Sequence, residues 1–514
     1  MFFDSLDLSF SEKRSVIFFG GDVVIGRRTN WNRRKKPFGN LQAMQDADLR
    51  IVNLECVAGA QGEQGIHKGE SSSYYYHARP EQINLLTEAN IDVVLTANNH
   101  SMDYYAETLL EQNEYLNRAG VLHCGSGANF DEASRPLFIK VNDIVVALFS
   151  VDATIKHYAA TEDKAGIFYL PPSQPELWKK IFTEKIADAR RKADIVLVAP
   201  HWGKNGLTEP REPIKVLGRL LIDCGADAVL GCHAHLMQGI ENYKNRPIIY
   251  DAGNLIFDTA AGLGGAFSIV LSKRGVEEVS MIPLTTGNCR IVPMNEADVS
   301  EFSEFFIELC AKLNTNATVD GEFVKVKFDP PPRAEQNLEP VELSIPRHDG
   351  EKIPPMAEPL PEWTAEKVPD NARIQPQNFG PINLVGCRIP PEYLLMTSRK
   401  MLYVETWWTC DEPTEKDLSI RLRGVPDTKK TVKNFGENMD HQGCDWMWPT
   451  NRWKPGVIYY ERFGLRAPKK SDVVNSKIYL YVSVLDGKDE LGKYIHPKFA
   501  KLQIPNLSTA TPQT

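Results

Sequence analysis

No apolar run in this chain approaches the roughly 20 residues needed to span a bilayer. The longest, such as Val16 to Phe19, Val145 to Phe149 and Ile195 to Ala199, are strand-sized. Met1 to Phe10 carries no basic residue but does carry Asp4 and Asp7, which is not the form of a secretory signal. A cytoplasmic protein with no membrane association is the expectation. None of the nine cysteines forms a CxxC pair, and they are scattered and odd in number. Reduced, mostly buried thiols are therefore expected rather than disulfides or a zinc cluster. There is no basic excess either: 59 Lys and Arg stand against 67 Asp and Glu, with both signs interspersed. That balance excludes the clustered basic footprint of a nucleic-acid binder. No internal repeat is visible.

What is present is ordinary globular material, with 42% hydrophobic and 25% charged residues. A chain of 514 residues is too long for one core, so two domains are expected. From residue 15 to about 285, short apolar runs alternate with helical periodicity. Ser15–Phe19, Arg50–Leu54, Asp92–Thr96, Val145–Val151, Asp194–Ala199, Ala226–Leu230 and Pro247–Tyr250 read as strands. Pro80–Ala89, Glu107–Ala119, Glu176–Lys192 and Glu212–Cys224 read as helices, followed by Glu301–Leu313 and a strand at Phe323–Phe328. Such alternation predicts an α/β layered core over residues 1–328. Residues 330 to 391 hold fourteen of the 34 prolines, so 329–379 reads as an extended linker or wrapping arm. Beyond it, Met401–Trp408, Leu418–Leu422, Val457–Phe463 and Lys477–Leu485 alternate and are rich in aromatics, predicting an all-β sandwich over 380–514. Five tryptophans fall there (407, 408, 446, 448 and 453), read as core packing ahead of a ring-stacking platform for carbohydrate.

The chemistry lies at the strand ends. Five predicted strands run directly into Asp22, Glu55, Asn98-Asn99-His100, His201, and His233-Ala234-His235. Open α/β sheets place their ligands at these carboxyl ends. Carboxylate, amide and imidazole together form a mixed oxygen and nitrogen shell that suits one or two Mn, Zn or Fe ions better than Mg or Ca. Glu55 can bridge two ions roughly 3.5–4 Å apart, as two-metal hydrolases require. Taken singly, Asp22 could be a helix cap, Asn99 a turn former and His201 a core histidine.

The segments GGDVVIGR, NLE, TANNHSMDY, APHWG, GADAVLGCHAH and IIYDAGNLIFD, in this order, resemble the CapA family of poly-γ-glutamate capsule-synthesis proteins over roughly residues 15 to 300. That family looks like a branch of the calcineurin-like metallophosphatases, which implies an α/β/β/α layered sandwich. The resemblance implies Asp22 and His235 on one ion, Glu55 bridging, and Asn99, His201 and His233 on a second. It implies His100 as the acid at the leaving group, oriented by Asp103. Many metallophosphatases carry a histidine two residues after the first aspartate, where this chain has Val24. The first ion would then have only three ligands, and unequal affinities are expected. Capsule proteins of this family are usually tethered outside the cell, and no anchor is evident here. Substrate contacts are assigned to Arg27 in its basic run, to Asn53 and to His77, although a packed loop is the plainer reading of His77. Asn254 and Asp258 read as shaping the strand turn below the ions.

Three functions compete. The first is a hydrolase of a phosphoester or of a γ-glutamyl or peptide amide, in which metal activates water. The second uses the same ions to acidify a Cα proton, making a peptide epimerase. The third is a capsule or polymer assembly protein without turnover. The expected partner is a small-molecule, peptide or poly-glutamyl substrate, with no nucleic acid and no membrane.

Overall fold

The computed structural model describes residues 14–26, 36–61, 74–259, 261–331, 333, 337–347, 349–390, 401–427, 434–437, 439–466 and 477–501. Its contacts divide the chain into two compact units, one of residues 1–64 with 80–354, the other of 65–79 with 355–514.

The first unit is mixed α/β. Among the described residues, one sheet has ten strands. At its centre Ser15–Val23, Leu49–Leu54, Val93–Leu95 and Leu122–Cys124 run parallel. On the other side of Ser15–Val23 lies an antiparallel hairpin, Gly262–Ser272 with Gly275–Thr286. A second sheet of six strands has Arg246–Ile249, Ala228–Leu230, Ile195–His201 and Ile144–Asp152 parallel at its centre. These central strands are nearly continuous apolar runs because both faces are covered. Alternate residues show it: Leu197 and Ala199 share one cluster with Ile17, Phe19 and Ile51 of the first sheet. Val196 and Val198 instead pack against Trp178 and Phe182 of the helix Pro175–Lys192 and Leu217 and Leu221 of the helix Glu212–Asp223. The helix Pro175–Lys192 starts on a proline, whose missing N–H costs nothing there, and ends on Arg190, Arg191 and Lys192, which suit the negative end of its dipole.

The earlier part of the proline-rich stretch lies along the first unit as an arm. Arg333 pairs with Asp227, Ser344 N donates to the Phe138 carbonyl (2.8 Å), and Ile353 exchanges two hydrogen bonds with the Asn84 side chain (2.8 and 3.0 Å). Its backbone thus finds partners along the first unit as far as 354, and residues 65–79 group with the second unit instead. Composition gives chain stiffness but not the surface on which an arm lies.

The second unit is all-β among its described strands. Five strands form one antiparallel sheet, centred on Met401–Cys410 and Ile458–Arg466, and four form another, centred on Ser419–Pro426 and Lys477–Asp486. Leu402, Val404 and Trp408 of the first share a core with Ile420, Leu422, Val482 and Val484 of the second. Trp407, Trp408, Trp446, Trp448 and Trp453 are all buried, which is the packing role expected of them. The nine cysteines are free thiols, eight of them buried. Among the described residues no helix is long and apolar enough to cross a membrane.

Candidate metal centre

The six expected ligands come from both sheets of the first unit. Asp22 sits near the end of Ser15–Val23, where Gly21 takes a left-handed φ of 75° and the pairing with Leu49–Leu54 shifts register. That kink turns the Asp22 side chain out of the regular alternation. The Asp22 N–H is held by the Gly253 carbonyl (2.9 Å), and the Glu55 N–H by the Val23 carbonyl (2.9 Å). His201 closes the strand Ile195–His201, and Trp202 N–H donates to the Cys232 carbonyl (3.0 Å). His233 and His235, beyond Ala228–Leu230, take positive φ values of 118° and 62°. Side chains avoid that backbone region, so surrounding structure must hold both imidazoles there. The Ala234 N–H between them donates to Asp251 (2.6 Å).

Two groups of donors result. Glu55, His201 and His233 form one and Asp22, Glu55 and His235 the other, the ligand atoms of each lying within 4.8 Å of one another. In the first group His201 Nε2 lies 2.9 Å from Asn99 Oδ1, 3.0 Å from His233 Nδ1 and 3.8 Å from Glu55 Oε1. In the second, His235 Nδ1 lies 3.6 Å from Asp22 Oδ2 and 3.8 Å from Glu55 Oε2. Glu55 thus offers one oxygen to each. Asp22 and Glu55 are fully buried, and Asp22 Oδ2 receives no N–H or O–H hydrogen bond among the described residues. Two imidazole nitrogens facing each other at 3.0 Å can share at most one proton. A dry carboxylate oxygen without an N–H or O–H donor among the described residues and converging nitrogens fit divalent cations, and the mixed donor chemistry fits Mn, Zn or Fe. The Cys232 thiol beside them is pushed well above its ordinary pKa by burial and then by the Asp22 charge, so it stays neutral. Burial, and then Asp22, likewise push the Asp251 carboxyl well up.

Beside the donors, His100 Nε2 stands 3.8 Å from Glu55 Oε1, and its Nδ1 lies 2.6 Å from Asp103 Oδ2. Tyr158 OH donates to the other Asp103 oxygen (3.1 Å). Asp103 therefore holds the proton on Nδ1 and turns Nε2 toward the donors.

The remaining expected site residues fare differently. Asn53 is buried, and its Nδ2 donates to Asp22 Oδ1 (2.8 Å) and lies 3.3 Å from His201 Nδ1. Its own oxygen accepts from Asn98 Nδ2 (3.1 Å), and Asn98 Oδ1 in turn accepts from the His100 N–H (3.0 Å). This amide chain links ligands from three strand ends, a positioning role that strand-end chemistry alone does not distinguish from contact with substrate. His77 is buried in the short strand His77–Ala78 and belongs to neither donor group. Arg27 lies outside the described residues. Sequence reasoning placed Asn98 at its strand end without a role of its own and overlooked Tyr158 and Asp251, which carried no signal.

The family described as bacterial capsule synthesis protein PGA_cap matches residues 16–259. The PGA biosynthesis protein CapA of Bacillus subtilis is 27% identical over 292 residues, 55% of this chain and 74% of that protein. The capsule biosynthesis protein CapA of Bacillus anthracis is 31% identical over 247 residues, 46% of this chain and 58% of that protein. A probable polyglutamine synthesis accessory protein of Mycobacterium tuberculosis is 28% identical over 283 residues, 51% and 73% of the two chains.

Proposed function

From the match of residues 16–259 to the bacterial capsule synthesis family, we propose that the chain belongs to that family and that its first unit is a divalent-metal-dependent hydrolase acting on a phosphoester or on a γ-glutamyl or peptide amide. The observation that carries this reading is the convergence of Asp22, Glu55, Asn99, His201, His233 and His235 into two donor groups joined by Glu55. Asp22, Glu55 and His235 would hold one ion, and Glu55, Asn99, His201 and His233 the other. When bound, such ions supply positive charge to a reacting carbonyl or phosphoryl oxygen. The chain itself supplies the proton: His100, its Nδ1–H held by Asp103 and Asp103 in turn by Tyr158, acts in its imidazolium form and gives the Nε2 proton to the leaving oxygen or nitrogen, returning to the neutral ring with Nδ1–H. Asn53 and Asn98 keep Asp22, His201 and the His100 loop in register. The first unit is read as an α/β/β/α layered sandwich, supported by the core cluster the two sheets share, and the second unit as a β-sandwich without an assigned role.

The relatives named for capsule or polyglutamine synthesis favour a glutamyl polymer or its precursor as the substrate. The name "accessory" borne by one of them supports a second reading, a polymer-assembly protein without turnover. One panel separates these. Metal content of purified protein is measured, then hydrolysis of p-nitrophenyl phosphate esters and γ-glutamyl amides, and deuterium uptake by peptides in D₂O. Metal-dependent cleavage is the expected result. Deuterium uptake at Cα without cleavage would make it an epimerase, and retained metal without any turnover would leave the assembly role.

A further inference from the structure

Asp22, Glu55 and His235 are three donors where protein-bound divalent ions take four or more ligands. Val24, at the position where the resemblance leads one to expect a histidine, is buried and has an apolar side chain with no ligand atom. Asn254 stands beside the gap. It opens the strand Asn254–Ile256, which runs parallel to Ser15–Val23 with Asn254 and Asp22 as register partners. Its Oδ1 lies 2.9 Å from His235 Nδ1, the same nitrogen that lies 3.6 Å from Asp22 Oδ2 and 3.8 Å from Glu55 Oε2.

Two readings of this contact conflict. If Nδ1 carries a proton, it donates to Asn254, and that nitrogen cannot bind an ion. If Nδ1 binds an ion, its lone pair and that of Asn254 Oδ1 face each other 2.9 Å apart, which is repulsive unless both point at one cation. Donors that each bind an ion at about 2.1 Å stand roughly 3 Å apart in an octahedral shell. Asp22 Oδ2, Glu55 Oε2 and Asn254 Oδ1 all gather within 3.8 Å of Nδ1, the arrangement of donors around one cation, and the second reading is the one that uses all of them.

We infer that Asn254 Oδ1 is the fourth protein donor of the ion held by Asp22, Glu55 and His235. The inference rests on the two-ion reading of the site. It makes the first donor set three oxygens and one nitrogen, against two and two for Glu55, Asn99, His201 and His233. The first centre is thereby the harder one, and it favours Mn²⁺ over Zn²⁺ relative to its neighbour.

The test uses metal-free full-length protein saturated with Co²⁺. Asn254→Cys is expected to add a near-ultraviolet sulfur-to-cobalt charge-transfer band absent from the wild-type spectrum, because a thiolate at 254 reaches the ion. Asn254→Ala is expected to weaken one Co²⁺ equivalent about tenfold or more in chelator competition, with the other unchanged. A silent Asn254→Cys spectrum overturns the assignment whatever the alanine variant does, since a residue that merely orients His235 weakens binding without bonding the ion. Wild-type protein that takes up no Co²⁺ overturns the two-ion reading itself, a failure visible before either variant is made.

Discussion

Replacing Asp22 by Asn should move the stability of the metal-free and metal-loaded protein in opposite directions. Without ions, Asp22 is a fully buried carboxylate whose Oδ1 accepts from Asn53 and whose Oδ2 has no N–H or O–H donor among the described residues. Fully buried Glu55 is a second acidic group beside it, and Asp22, after burial, helps to raise the Asp251 pKa. An asparagine keeps the bond from Asn53 through its oxygen and removes one charge from a dry site. Relief of an unsatisfied buried acceptor is worth about 1–3 kcal/mol, so the metal-free variant should be more stable by that amount. With Mn²⁺ at a hundredfold excess over Kd, each ion stabilises the wild-type protein by about 2.7 kcal/mol through mass action. The variant forfeits most of the contribution of the first ion. The rank order should therefore invert between chelator and Mn²⁺ in urea unfolding followed by the fluorescence of Trp178 and Trp202, both buried in the first unit. A variant less stable than wild type in chelator, or one equally stabilised by Mn²⁺, would refute the reasoning.

Other perturbations separate the roles of neighbouring residues. His233→Ala should lose the second ion and all turnover, whereas His100→Ala should keep both ions and lose turnover by a factor of about 10²–10⁴. Wild-type rates in His100→Ala would remove that residue from the mechanism. A Cβ added at Gly231 would overlap the Tyr250 carbonyl and lie 2.7 Å from Trp202 Nε1, which donates to that same carbonyl. Gly231→Ala should thus cost about 2–4 kcal/mol in urea unfolding, and an unshifted midpoint would contradict the packing described at this strand end. In the second unit, burial lowers the His441 pKa, but the charge and hydrogen bond of Glu461 outweigh it and raise the value overall. That contribution to stability is fully present below the ordinary histidine value of about 6.5 and is lost as pH rises through the elevated folded value. Glu461→Gln leaves burial to act without its main opponent, so the His441 ring should titrate below that ordinary value by NMR, and an unchanged titration would sever the pair.

The parallel strands were legible because strands covered on both faces read as unbroken apolar runs, each stopped by a polar residue at the end where ligands gather. The hairpin Gly262–Ser272 with Gly275–Thr286 was not, since Gly262, Gly264 and Gly265 open it with a pattern typical of a loop. The helix expected to begin at Glu301 begins at Glu296, because the Asn295 side chain accepts from the Asp298 N–H and caps it. Asn53 shows a different limit. An amide at a strand end has the same sequence appearance whether it meets substrate or orients a neighbouring carboxylate, and the 2.8 Å contact with Asp22 reveals the orienting role. Asn254 likewise looked like a turn former after Asp251-Ala252-Gly253, and only the strand pairing sets it opposite Asp22.

The positive φ values of His233 and His235 carry a cost that outlasts any question of substrate. Each such residue gives up about 1–3 kcal/mol that a glycine would recover. His235→Gly should therefore exceed His235→Ala in metal-free stability, although both remove the same imidazole. A library of this chain selected only for resistance to heat would drift toward glycine at both positions, becoming sturdier as it loses its chemistry. Robust folding is accordingly a poor proxy for an intact centre here, and screens of variants need a metal readout alongside a melting curve.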